Sequence, residues 1–425
     1  MRRVGLLGAT GIGAGSMLGA GVFSGMWADV LAAGQWYLLA LAIAAVVATA
    51  NALSTAQLAA RHPVAGGAYS YGRFELGAFA GRLAGASFVV GKTASVGVGA
   101  VVLGTYVVPG HPQTVATVAI ALCWALNARG ITRTAAAATV IAIVVSLVLT
   151  ALIVIGTAGP REFGSFSPAP LEAHAADAGA GLAAVLAGAS AAFFAFAGYA
   201  RIATLGEEVR TPERTIPRAI GIALAWVLAL YVGLAFVLRR VLGSDRGTDP
   251  AALGDAPLAA LASALGVDTT VVTIAAALAV GGAMLAVMAG AGRTAMAMAR
   301  QGDLPGSLAH QGRTGAPARA EAAIAVGAVA MVWAPSVDLL LVSVATILTY
   351  YAVANVAAAA QRRAGRTASL RVPVAVSVVG LIGSLLLGGV ALMGASDSAW
   401  PAIALLGVVV GWPVAATAAH FRSRR

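Results

Sequence analysis

Ionisable groups are scarce in this chain, and their places narrow the chemistry it can do. Lys92 is the only lysine among 27 lysines and arginines, and it lies inside an apolar run. An arginine stays charged under nearly all conditions, whereas a buried lysine can give up its proton. Lys92 is therefore a candidate proton carrier; the alternative is a structural lysine that donates to backbone carbonyls. Arg201 stands in a second apolar run, with Glu207 and Glu208 close behind it. These three are gating candidates, with Arg201 pairing to either glutamate; alternatively, the glutamates mark the end of the run and bind nearby arginines. Cys123 is the single cysteine and the five histidines are scattered, so neither a disulfide nor a metal site is expected. No nucleophile stands beside a base partner. Catalytic residues, cofactors and enzyme activity are not expected.

Backbone groups supply the rest of the chemistry. Gly11 to Phe23 reads GIGAGSMLGAGVF, and its glycines need a reason inside an apolar segment. Gly11, Gly15 and Gly19 recur every four residues, which puts them on one helical face that a neighbouring helix can approach. Gly19-Ala20-Gly21 also fits a helix break, where exposed N–H groups can face an anion. A matching interruption falls at Gly198 in Phe193 to Tyr199, FFAFAGY.

The elements that position these groups are membrane spans. With 60% hydrophobic and 10% charged residues, the composition falls well below the ~25% charge of soluble domains. No cleavable signal pattern follows Met1-Arg2-Arg3, so the first span is expected to stay in the protein. Runs of ~20 apolar residues place twelve helices, at 5–33, 36–60, 78–107, 113–128, 134–157, 180–206, 217–241, 270–299, 320–334, 337–359, 372–394 and 399–419. The ninth is short and would merge with the tenth if a helix ran through Pro335. The net charge of +11 reports topology and not nucleic acid, because the arginines fill short loops on one side. The opposite side holds only Arg161, Arg239, Arg240 and Arg246. A multi-pass protein of the cell inner (cytoplasmic) membrane, with both termini cytoplasmic, is expected.

Four segments carry a resemblance. Gly11 to Phe23 resembles the first-helix signature of the amino acid–polyamine–organocation (APC) transporters, and His62 to Tyr71, HPVAGGAYSY, is similar to their loop after helix two. Phe193 to Arg218 resembles their sixth helix and following loop, and Met298 to Pro305, MARQGDLP, their loop after helix eight. The resemblance implies an all-α polytopic membrane protein with a 5+5 inverted repeat and discontinuous helices one and six. Residues 1–160 and 161–360 would form the two repeats, with 361–425 appended.

It also implies a secondary active amino acid permease working by alternating access. Substrate would lie between helices one, three, six, eight and ten. Met17, Gly19, Ala20, Gly21, Phe194, Ala195, Phe196, Ala197 and Gly198 match the substrate-contacting region. N–H groups at Ala20 and Gly21 would meet the carboxylate; carbonyls of Met17, Phe194, Ala195 and Ala197 would meet the ammonium. Phe196 would gate the site or serve as an ordinary core phenylalanine. Ala200 stands where several relatives carry an acid, which favours a neutral substrate.

Sodium is not expected as the coupling ion, because Ile274 to Arg293 offers no serine or threonine before the end of that stretch. A proton is the expected partner, although the helix-five lysine of proton-driven relatives is missing from Thr134 to Gly156. An exchanger without net proton coupling is the rival within the class, and a non-transporting membrane sensor the rival outside it. The oligomeric state is open.

Overall fold

The computed structural model describes residues 4–25, 33, 36–62, 64, 66–130, 135–158, 178–203, 209–242, 256–312, 315–334, 337–365, 370–395 and 407–422. Its helices are α1 (Leu6–Met17), followed by a π-helical turn at Gly21–Gly25, then α2 (Tyr37–Arg61), α3 (Ala68–Leu76), α4 (Ala78–Val107), α5 (Pro112–Ala128) and α6 (Ala135–Ala158). There follow α7 (Ala178–Phe196), a 3-10 turn at Ala197–Tyr199, α8 (Ala200–Ala203), α9 (Pro212–Leu242), α10 (Pro257–Ala264) and α11 (Thr269–Arg300). Last come α12 (Ala318–Val332), α13 (Leu339–Arg363), α14 (Val374–Gly394), a second π turn at Gly407–Gly411 and α15 (Trp412–Arg422).

Among the described residues, nine helices are long and apolar enough to cross a bilayer, and α5 and Gly407–Thr417 are shorter apolar helices. The short α12 ends before Pro335 and α13 begins afresh at Leu339, where Asp338 caps the first turn through the N–H of Leu341 at 3.0 Å. Large apolar side chains cover the outer surface, with Val326, Leu147, Val118 and Leu385 all more than half exposed. Such a surface is unstable in water and suited to lipid.

The helices cohere through small residues and buried polar seams, as expected where lipid is as apolar as the side chains. Gly85, Gly91, Gly97 and Gly99 let the central α4 meet Met298, Thr346, Leu339 and Met284. One seam joins α2, α13 and α14: Asn355 donates to Asn51 at 2.6 Å, and the Ser54 and Ser377 hydroxyls meet at 3.0 Å. Gly380 stands over both asparagines, leaving no space for a Cβ.

A charged node closes one end of the bundle. Asp303 accepts from Arg73 at 2.6 Å, from Arg82 at 2.8 Å and from the Tyr69 hydroxyl at 2.9 Å. Burial and that bond to Asp303 push the Tyr69 phenol up from its ordinary range. Arg82 also donates to Thr417, so α15 is tied to the same node. Separately, Val4 pairs with Val209, and the Arg210 N–H donates to the Val4 carbonyl at 2.9 Å. This clamps the start of α1 to the segment that follows α8.

Candidate functional site

The two glycine-marked segments are both interrupted and they meet. α1 closes with the Leu18 N–H on Ala14, bends over Leu18 and Gly19, and resumes as the π turn. α7 gives way at Ala197 to the 3-10 turn before α8. A Cβ on Gly198 would lie 2.5 Å from the Met17 nitrogen and the Ser16 carbonyl carbon, and one on Gly21 would run into the Ala195 backbone. Glycine is thus needed at both points because one backbone lies directly on the other. Gly19 makes a different approach, against Ala283 of α11. Gly11 and Gly15 pack on Thr139, Ala138 and Ala142 of α6, so the packing face expected of the first span exists for these two.

Beside this crossing lies a cavity of about 30 Å³. Ser16, Met17, Ala20 and Gly21 line it from the first interrupted helix, and Phe194, Ala197 and Gly198 from the second. α4 adds Lys92, Ser95 and Gly99, while α11 adds Val280, Ala283, Met284 and Val287. That volume has room for about two water molecules and is tight for an amino acid.

Six of the nine residues expected at the site share this cavity. Gly19, Ala195 and Phe196 do not line it. Phe196 is fully buried and packs edge-on against Tyr231, with ring centroids 5.2 Å apart, a core position away from the cavity mouth. Helix ten contributes none of the lining; its Tyr351, on α13, approaches the Ala197 carbonyl at 3.4 Å from behind. Arg201 is partly buried on α8, its stem near Gly290 of α11, while Glu207 and Glu208 lie outside the described residues.

Three side chains, Tyr231, Lys92 and Tyr351, reach carbonyls at the interruptions. The Tyr231 hydroxyl on α9 lies 2.7 Å from the Met17 carbonyl and 2.9 Å from that of Ala195. Its single proton serves both, which bridges the two interruptions. Lys92 reaches the Ala197 carbonyl at 3.4 Å and stands 5.9 Å over the Phe88 ring. Among the described residues of the lining, Lys92 is thus the cation and none is a carboxylate. Sequence reasoning missed Tyr231, Ser16 and Ser95; a lone tyrosine in the apolar run Ala223 to Val237 was the available signal. Ser16 spends its hydroxyl on Ile12 of its own helix at 2.8 Å.

At the C-terminal end of α4, the Tyr106 hydroxyl accepts from the Leu258 N–H at 3.2 Å and donates to the Phe23 carbonyl at 3.3 Å. It joins α4, the π turn and α10. Among the described residues no group of histidine, cysteine or acidic side chains could hold a metal ion.

The amino acid permease family model matches residues 4–414. The chain belongs to the amino acid permease family. The permease is 46% identical over 363 residues to an uncharacterized transporter of Mycobacterium tuberculosis, covering 84% of this chain and 80% of that protein. An uncharacterized transporter of Mycobacterium bovis matches to the same extent. A chloroplastic cationic amino acid transporter of Arabidopsis thaliana is 29% identical over 378 residues, 81% of this chain and 63% of the plant protein. Membership of the family makes the permease a multi-pass membrane transporter and not an enzyme.

Proposed function

We propose that the permease moves a neutral amino acid across the cytoplasmic membrane by alternating access, driven by a proton gradient. The observation that carries this reading is one cavity bordered by both helix interruptions and by Lys92. N–H groups of Ala20 and Gly21 face the substrate carboxylate, and the carbonyl of Phe194 faces its ammonium, while that of Ala197 is held by Lys92 and Tyr351. Met17 and Ala195 accept from Tyr231 and take a supporting place. Twelve spans arranged as a 5+5 inverted repeat, with 361–425 appended, suit the paired interruptions; both termini are assigned to the cytoplasm.

The lining supports a neutral substrate. The plant relative's name specifies cationic amino acids, but a cationic side chain in this cavity would meet the Lys92 ammonium and no acid. Like charges in a low-dielectric site repel strongly.

Lys92 is the proton carrier in this reading. Proteoliposomes with an inward proton gradient are expected to accumulate a neutral amino acid, and Lys92→Met to lose accumulation while retaining exchange against internal amino acid. Unchanged pH-dependent accumulation by Lys92→Met removes the carrier role. Uptake that requires internal amino acid and ignores the gradient makes the protein an exchanger.

A further inference from the structure

A second buried ionisable group lies apart from the cavity. Glu321, in the first turn of α12, is 1% exposed. Its Oε2 is sealed from water and has no hydrogen-bond partner. The Asn127 side chain of α5 hydrogen-bonds the carboxylate, and Arg293 of α11 acts on it electrostatically. Space for it is provided by Gly292, where a Cβ would lie 2.5 Å from the Glu321 Cγ. An ionised carboxylate with one oxygen unsolvated is costly, so a purely structural anchor would be better served by a neutral amide.

The same side chains reach the wall of the cavity. The Asn127 amide donates to the Leu285 carbonyl at 3.1 Å, and Met284 and Val287, on either side of Leu285 along α11, line the cavity. A change of charge at Glu321 therefore acts through Asn127 on the stretch of α11 that borders the ligand. Among the described residues, charged and titratable groups around it are few. α11 presents Arg293, and on α12 itself Arg319 is exposed. α5 carries Cys123 one turn from Asn127. α4 meets α12 at Thr93 and Gly97, with Lys92 directed to Ala197 instead. The 3-10 turn at Gly306–Ala309 follows Asp303, whose carboxylate is held by Arg73 and Arg82.

We propose that Glu321 is a proton-binding positioning residue of the transport cycle, gating α11 against α12 at the arginine-rich end of the bundle. A proton adds to Oε2 to form an O–H and leaves to water at that end when the two helices part; no other bond forms or breaks. This rests on the proton-coupled reading above and assigns it a second site, beyond Lys92.

The test uses the purified full chain in liposomes containing a pH-sensitive dye. Exchange of external for internal amino acid reports transport alone; dye acidification on substrate addition reports the proton. Glu321→Gln is expected to keep exchange, lose substrate-driven acidification and flatten the pH profile of uptake. Asn127→Ala, which removes a bond favouring the carboxylate, is expected to move the midpoint of that profile about one pH unit upward. Wild-type acidification in Glu321→Gln together with an unmoved profile in Asn127→Ala overturns the proposal. Exchange without any acidification by the wild-type chain also overturns it, yet leaves amino acid transport standing. Absence of exchange by the wild-type chain contradicts the transport reading itself. A Glu321→Gln chain that does not fold is replaced by Glu321→Asp, expected to acidify with a shifted midpoint; an unshifted midpoint counts against the proposal.

Discussion

Tyr231 donates to carbonyls of both interrupted segments, and it does so from a helix that carries no other part of the site. Tyr231→Phe keeps the ring against Phe196 and strips the hydroxyl, so its effect isolates the bridge. Leaving buried carbonyls without a donor costs about 1–3 kcal/mol. We expect a lower melting temperature in detergent and a clear fall in exchange rate, and equal stability and rate would show that water replaces the hydroxyl. The sequence could not have located this residue. In spans that are apolar all round, periodicity does not fix which face is inward. The glycines were legible because a break leaves a compositional mark, whereas Gly19 and Phe196 were placed at the site by adjacency alone and turn instead to α11 and to Tyr231.

At the scale of elements, the paired interruptions are best understood as a crossing of backbones. Gly198 lies on Ser16 and Met17, and Gly21 on Ala195, so the distance between the two segments is set by the absence of two side chains. Gly198→Ala must push them apart at a point where both are packed, an overpacking cost of about 1–3 kcal/mol. Since the cavity borders this crossing, we expect the variant to reach the membrane and to lose most uptake; normal uptake would mean that the crossing is slack. Helix extents were the most legible feature: α4 spans Ala78–Val107, as the apolar run dictates, and α12 and α13 are separate around Pro335. The helix-type changes at Gly21–Gly25 and Ala197–Tyr199 were legible only as breaks, because glycine content does not distinguish a π turn from a 3-10 turn.

At the scale of the whole molecule, the ties between the interrupted helices and the rest include the Val4–Val209 pairing, Tyr231 at the crossing, and Tyr106 between the π turn and α10. Alternating access needs the ties at the two ends to open in turn. These ties join residues between 36 and 214 positions apart, and long-range pairings of this kind leave no local trace in the sequence. The central claim is that substrate occupies the space between the two interruptions, α4 and α11. Val287 lines that space from α11 and Cys123 is the native cysteine, so Val287→Cys on a Cys123→Ala background puts one reporter thiol in the cavity wall. The decisive measurement is the rate of maleimide labelling of that thiol in proteoliposomes, with and without each amino acid that the same chain transports. The account predicts that transported amino acids slow labelling and that amino acids not transported leave it unchanged. Labelling indifferent to a transported substrate would contradict it.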